Sequence, residues 1–206
     1  MEPSYLLIVY YSVNGSCAAL ARELQLSAQQ AASADKQTPL EIRLRQLPRV
    51  SATCEAVDDP VPADGPPFCT QDDLAACSGL LLGSPTRFGN MAAPVKYFLD
   101  GSVNAWVNGD LIDKPFGLFT SSASMHGGQE STLLSMAIPL LHQGMIFAGI
   151  PYSEARLNST QTGGTPYGAS HVAGEAKGSQ LSDDEKAIAN AQAVRMVSLI
   201  RRLAGN

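Results

Sequence analysis

Leu80-Leu81-Leu82-Gly83-Ser84-Pro85-Thr86-Arg87-Phe88-Gly89-Asn90-Met91 is the stretch that decides the fold. An apolar run stops at a glycine, passes through a proline into a polar turn, and ends where Ala92-Ala93-Pro94-Val95-Lys96-Tyr97-Phe98-Leu99 takes up a helical pattern. A buried strand that opens into a polar loop ahead of a helix is how α/β proteins present binding groups at a strand's carboxyl end. One cation, one aromatic and two glycines in that loop suit a flat, polar or anionic molecule, with backbone N–H groups open where glycine permits close approach. An ordinary strand-to-helix turn has the same outline, so the flanking segments have to decide between the two.

The outline recurs on both sides. Tyr5-Leu6-Leu7-Ile8-Val9-Tyr10-Tyr11 is continuously apolar or aromatic, as a parallel strand covered on both faces requires. It leads through Ser12-Val13-Asn14-Gly15-Ser16-Cys17 into a helical spacing of Ala18, Leu20, Ala21 and Leu24 over 18–30. Pro115-Phe116-Gly117-Leu118-Phe119-Thr120 predicts another strand, which empties into Ser121-Ser122-Ala123-Ser124-Met125-His126-Gly127-Gly128-Gln129-Glu130. A helix follows over 132–143, which Pro139 should kink or restart. Residues 40–44 alternate apolar and charged, predicting a strand near the sheet edge, and 145–150 predict a fifth.

Five apolar strands alternating with helices predict a doubly wound parallel sheet with helices on both faces, a single α/β domain over 1–206. Three excursions interrupt it. Residues 48–70 are rich in proline and aspartate, 100–114 read as a loop carrying Trp106, and 151–180 read as a surface wrap with His171 assigned to the surface. A short helix is predicted over 72–77, and Ser182 with Glu185 forms a capping box ahead of a last helix to 203.

Right-handed crossovers put the carboxyl ends of all strands on one rim, where loops 12–17, 85–90 and 121–128 are expected to converge. The first precedes a helix, so its N–H groups and the Ser12 and Ser16 hydroxyls face the positive end of the dipole and suit a phosphate. Hydroxyls serving only as helix caps fit equally well. The stretch matches neither G-x-G-x-x-G nor the lysine-bearing Walker pattern. Cys17 has two readings, a thiol with a depressed pKa at a helix start or a small buried helix residue.

Composition narrows the partners. The 206 residues are 45 % hydrophobic and 16 % charged with a net charge of -5, and the basic residues are scattered, which argues against nucleic acid. No apolar run approaches the roughly 20 residues of a membrane span. Met1-Glu2-Pro3-Ser4 leads into a strand without a basic n-region or cleavage site, so a cytoplasmic protein is expected, without membrane insertion. Cys17, Cys54, Cys69 and Cys77 form no C-x-x-C pair and read as reduced thiols, and the three histidines form no paired metal ligands.

Tyr10-Tyr11-Ser12 with its following glycine, Ser84-Pro85-Thr86-Arg87-Phe88-Gly89-Asn90-Met91, Phe98-Leu99-Asp100, Trp106, His126-Gly127-Gly128-Gln129-Glu130, His142-Gln143-Gly144-Met145 and Gly163-Gly164-Thr165-Pro166-Tyr167-Gly168 together resemble the WrbA family. These are flavodoxin-like, FMN-dependent NAD(P)H:quinone oxidoreductases, and the resemblance spans almost the whole chain. It implies a flavodoxin-like five-stranded sheet, FMN as cofactor, NADH or NADPH as electron donor and a quinone as substrate. It implies FMN phosphate binding by Ser12, Val13, Asn14, Gly15, Ser16 and Cys17. Pro85, Thr86, Arg87, Phe88 and Gly89, with Ser121, Ser122, Ala123, Ser124, Met125, His126 and Gly127, would hold the ribityl chain and ring. It further implies a homotetramer with active sites shared between subunits, His142 contributed by a neighbouring chain, and Asn14 and Trp106 at the nicotinamide or quinone pocket, a subunit-interface anchor being the equal alternative for Trp106. His126 and His142 are the candidate proton donors. Two positions depart from the family pattern: Asn14 stands where a larger or aromatic residue is common, and Ser124-Met125-His126 replaces a stretch rich in glycine and threonine. A flavodoxin-like FMN carrier or regulatory binding protein without quinone turnover is the alternative reading.

Overall fold

The computed structural model describes residues 4–34, 39–51, 61–174 and 178–204. Along the chain run β1 (Tyr5–Tyr10), α1 (Ser16–Ser33), β2 (Glu41–Gln46), α2 (Gln71–Ala76), β3 (Gly79–Pro85), α3 (Ala93–Asp100), α4 (Val103–Asn108) and β4 (Pro115–Ser122). After them come α5 (Gln129–His142), β5 (Ile146–Phe147), α6 (Arg156–Ser159), β6 (Ala169–Val172) and α7 (Asp183–Ala204). All strand pairs are parallel, in the order β2-β1-β3-β4-β5, with β6 also paired to β4. This is the flavodoxin-like doubly wound order, and its switch point lies between β1 and β3. Every residue of β1, β3 and β4 is buried, as expected of strands covered on both faces, whereas β2 is mostly half-exposed at the edge.

Alternate side chains of the strands feed two cores. Leu7, Val9, Leu80, Leu82, Phe116 and Leu118 meet α2, α3, α4 and α5 on one face. Leu6, Ile8, Leu81 and Phe119 meet α1 and α7 on the other. In α1 Leu20, Ala21 and Leu24 of the predicted stripe are buried and Ala18 is half-buried, while Cys17 and Ala28 extend the buried face at either end. The Ser182–Glu185 capping box forms as expected, with the Ser182 N–H donating to Glu185 Oε2 at 2.8 Å and the Glu185 N–H to Ser182 Oγ at 3.2 Å. No helix among the described residues is long and apolar enough to cross a membrane.

Four expectations change. β3 continues through Gly83, Ser84 and Pro85, which the apolar pattern had left to the loop; Ser84 and Pro85 stay in register with Thr120 and Ser121 of β4. The 100–114 segment is not all loop, because Val103–Asn108 closes into α4. Helix α5 starts at Gln129 and runs through Pro139 to His142, the ladder resuming with the Gln143 N–H donating to Pro139 O at 3.2 Å. The fifth strand is split: Ile146 and Phe147 pair with the start of β4, and Ala169, Ser170, His171 and Val172, from the segment read as a surface wrap, pair with its end. Between the halves the Gln192 side chain does the work of the missing strand, taking the Ala169 N–H at 3.0 Å and donating to Leu118 O at 2.8 Å.

Of the 48–70 excursion, the described end returns to the sheet, where Phe68 bridges Gln46 and Thr70 with Asp73 caps α2. Cys54 lies outside the described residues. Cys17, Cys69 and Cys77 are buried, free thiols.

Candidate functional site

Three loops leave the carboxyl ends of β1, β3 and β4 on one rim, and the structure brings them together. Ser12, Val13, Asn14, Ser16, Cys17, Pro85, Thr86, Arg87, Ser121, Ser122 and Ala123 line one cavity of about 220 Å³ at the switch point, with Ala173 as a further wall. The floor is the amino end of α1. Gly15 precedes the helix at φ +85, a left-handed turn that suits glycine, and the first intrahelical bond is the Ala19 N–H to Gly15 O. The Ser16 and Cys17 amides therefore lie in the turn whose N–H groups have no helical acceptor. No acidic side chain occupies that first turn, so the positive end of the dipole is left for an external anion. Ser12 Oγ accepts the Ala18 N–H at 3.3 Å, the cap reading of that hydroxyl. Ser16 Oγ is instead a donor to Gly178 O at 3.2 Å.

The second and third loops hold each other. The Thr86 N–H donates to Ser121 O at 2.9 Å, Thr86 Oγ1 to Gly127 O at 3.3 Å, and Thr132 Oγ1 to Thr86 Oγ1 at 2.9 Å. Gly128, at φ +92, lies so close to Gly89 that a β-carbon there would come within 2.9 Å of the Gly89 Cα. Gln129 donates to the carbonyls of Ser124 and Met125 from inside and so fixes the third loop's shape. Arg87 and Asn90 close a tight turn by two backbone bonds, and this turn lifts Phe88 at φ +54 fully into solvent. An exposed aromatic on a left-handed backbone beside an exposed cation is a wall offered to something flat and polar.

Cys17 is inside the protein, its Sγ 3.1 Å from Ser121 Oγ, and burial pushes its thiol up to about 12. The buried-residue reading of Cys17 therefore holds, and its burial argues against a depressed thiol. Phe88 and Gly89 stand on the second loop and Ser124, Met125, His126 and Gly127 on the third, at the rim rather than in the lining; Met125 and His126 are exposed.

Trp106 and His142 are elsewhere. They line an open groove of about 770 Å³ between α3, α4 and α5, together with Lys96, Leu99 and Ile138. The groove begins at Asn90 and Met91, where the second loop ends, yet shares no lining residue with the rim cavity. Both are exposed in the isolated chain.

Sequence reasoning missed two residues. Ala173 lines the cavity from a segment read as a surface wrap, and its N–H donates to Ser122 O at 2.8 Å. His171 is not at the surface as assigned but fully buried, next to Glu185. Only the short run Ala169-Ser170-His171-Val172, between glycines at 168 and 174, hints at a strand.

A dipole end with no counter-charge, an exposed aromatic and flanking loop amides form a donor set that fits a cofactor with a phosphate at one end and a flat ring at the other. The comparisons with known proteins agree with that chemistry. Residues 6–153 match the model of the NADPH-dependent FMN reductase family. The chain is 38 % identical over 204 residues to a protein of Geotalea daltonii named NAD(P)H dehydrogenase (quinone), covering 96 % of this chain and 97 % of that one. It is 46 % identical over 142 residues to one of the same name from Syntrophobacter fumaroxidans, covering 68 % and 70 %. Among solved structures, a flavodoxin described as a WrbA-like protein from Agrobacterium tumefaciens shares the fold at 20 % identity with a TM-score of 0.65, covering 97 % of this chain and 98 % of that one. Sheet order, rim cavity and sequence similarity converge: the chain belongs to the NADPH-dependent FMN reductase family.

Proposed function

We propose that the protein is an FMN-dependent NAD(P)H:quinone oxidoreductase of the WrbA type, one flavodoxin-like domain over 1–206 acting in the cytoplasm. The observation that carries this reading is the single rim cavity shared by the loops after β1, β3 and β4, floored by a helix amino end that no acidic side chain neutralises. The name NAD(P)H dehydrogenase (quinone), borne by a relative similar along nearly the whole chain, supports the same activity.

When bound, FMN would supply the redox chemistry, accepting hydride from NADH or NADPH and passing two electrons to a quinone. The chain's own residues would bind, orient and deliver protons. Ser12, Val13, Asn14, Gly15, Ser16 and Cys17 would grip the phosphate through helix-start amides and hydroxyls. Pro85, Thr86, Arg87, Phe88 and Gly89 would form one wall and Ser121, Ser122, Ala123, Ser124, Met125, His126 and Gly127 the other, with Arg87 offering charge to the polar edge of the ring. His126 or His142 would donate a proton at the quinone oxygen.

Trp106 and His142 would serve the cavity of another copy, because they open onto the groove and not onto the cavity of their own chain. A homotetramer would also cover the apolar side chains exposed around that groove, among them Tyr97, Val103 and Ile138.

The test is to add FMN to the purified protein and follow NADH and NADPH oxidation with and without benzoquinone. Flavin binding with quinone-dependent oxidation is expected. No bound flavin would end the reading, and flavin binding without quinone-dependent turnover would favour the carrier. Light scattering on the same sample checks for the tetramer.

A further inference from the structure

His171 is the third residue of β6, in register with Ser121 of β4 and fully buried. Its Nδ1 lies 3.0 Å from Glu185 Oε2 and its Nε2 lies 2.9 Å from the Gly178 carbonyl oxygen. A carbonyl oxygen only accepts, so Nε2 carries a proton. Glu185 is spent as an acceptor as well: Oε1 receives the Gly163 and Val172 N–H groups, each at 3.0 Å, and Oε2 the Ser182 N–H at 2.8 Å. Burial works against its charge, yet the hydrogen bonds from His171 and from the Val172, Ser182 and Gly163 amides hold its carboxyl down at about 2. An ionised carboxylate has no proton to offer, so Nδ1 must donate too. With both ring nitrogens facing pure acceptors, the state that satisfies the site is the imidazolium.

The far end of this pair reaches the rim cavity. Gly178 O, held by His171, also accepts Ser16 Oγ–H from the first turn of α1. A β-carbon on Gly15 would touch Ser179 Cβ at 3.7 Å, so this segment lies against the glycine turn of the first loop. Closer to β6, the Ala173 N–H donates to Ser122 O and the Gly174 N–H to Ala123 O, on the third loop. Ala173 and Gly174 on one side and Gly178 on the other are thus tied to two walls of the cavity. The fastening at Gly178 is the histidine.

Among the described residues, the elements packed around the ring contribute the following groups. From β4 comes the neutral Ser121, and from α1 the Cys17 thiol, which burial keeps protonated. From α7 comes Glu185, while Asp183 and Asp184 before it turn to Lys186 and Arg156. Among the described residues Glu185 is the charged partner in contact with the ring.

We propose, resting on the flavin reading of the cavity, that His171 is a positioning residue: a buried imidazolium, paired with Glu185, that holds the Gly178 carbonyl against Ser16 and so fixes the phosphate end of the flavin site. The sign of the pH dependence follows. The clamp is complete while the ring keeps both protons and fails as rising pH removes one, because a nitrogen without its proton then faces an oxygen that can only accept. Flavin retention therefore weakens toward alkaline pH, with the Ser12–Cys17 loop otherwise unchanged.

Two measurements test this. Imidazole ¹⁵N spectra of the wild-type apoprotein, which contains three histidines, should show one ring protonated on both nitrogens above pH about 6.5, where an ordinary histidine is neutral. FMN dissociation constants measured by flavin fluorescence from neutral to alkaline pH should rise about tenfold in the wild type, the equivalent of one lost hydrogen bond. In His171→Gln they should be raised already at neutral pH and lose that step. A neutral His171 ring at pH 7, or a pH profile that His171→Gln leaves unchanged, overturns the proposal. A wild-type protein that takes up no FMN at any pH overturns the flavin reading instead, and the imidazole spectrum still decides the state of His171.

Discussion

The two helical layers that cover the sheet finish their outer surfaces differently. On one face α1 and α7 bury continuous stripes against the strands, and Arg201 of α7 donates to the carbonyls of Ala31 and Ala32 at the end of α1. That layer closes on itself. On the other face α3, α4 and α5 bury Phe98, Ala105 and Leu140 inward but leave Tyr97, Val103, Trp106 and Ile138 more than half exposed. Solitary exposed apolar residues are ordinary, but a cluster around a groove is not. The difference teaches that the first layer is closed by contacts within the chain, with Leu26 its one side chain among those large apolar residues that is more than half exposed, whereas the second gathers four such residues around a groove that a partner would cover. In the proposed tetramer that partner is a second copy carrying its own Trp106 and His142.

The sharpest way to break this comparison is to remove the same volume from each layer. Ile188→Ala empties a fully buried site on α7 and should cost about 2–5 kcal/mol, read as a fall in the urea midpoint at unchanged slope. A similar loss from Ile138→Ala in dilute monomer would erase the distinction. Next in size is the acid limb. Glu185 is held at about 2 against an ordinary 4.5, so its contribution is present above pH about 4.5 and is lost as pH falls toward about 2. That loss should reach about 3 kcal/mol in a pH series of denaturation curves, and Glu185→Gln, already destabilised at neutral pH, should flatten it. Between the layers, at the rim, Arg87→Ala should raise the FMN dissociation constant about tenfold while far-ultraviolet circular dichroism stays unchanged, since Arg87 is exposed and supports no core. Unaltered flavin affinity would remove Arg87 from the site. The smallest effect on stability belongs to Ile138→Asp, within about 0.5 kcal/mol for the isolated chain, although light scattering should show the assembly falling apart. Should that variant stay assembled, the groove is not the contact.

Much of this was written in the sequence where residues decide their own environment. The apolar runs at β1, β3 and β4 can only be central strands, and the polar stretches behind them had to share a rim once the crossovers were right-handed. The Ser182–Glu185 cap was legible because its partners stand three positions apart. What stayed hidden depends on partners distant in the chain. Val103–Asn108 has the composition of a loop and becomes α4 between Ser102 and a left-handed Gly109. The burial of His171 is decided by Glu185, fourteen positions on, and the break between β5 and β6 is tolerable only because Gln192 satisfies Leu118 and Ala169. Ala173 lines the cavity for no chemical reason of its own, being carried there by the strand before it. For His142 the family resemblance already implied a role in a neighbouring chain's site, whereas nothing in the sequence said that Trp106 would open onto the same groove and away from its own chain's cavity.

The divided outer strand also bears on how the molecule comes into being. β6 can dock only on a β4 that already exists, and it is secured by Gln192 and Glu185 of the last helix. On the ribosome the Ser12–Cys17 loop emerges first, but the stretch that braces it through Gly178 is not locked until α7 has been made. Contacts this far apart in sequence form late and slow the search for the native state. If the first loop grips the flavin phosphate as proposed, a nascent chain would present that loop long before its brace through Gly178 is secured, and cofactor capture would wait for α7.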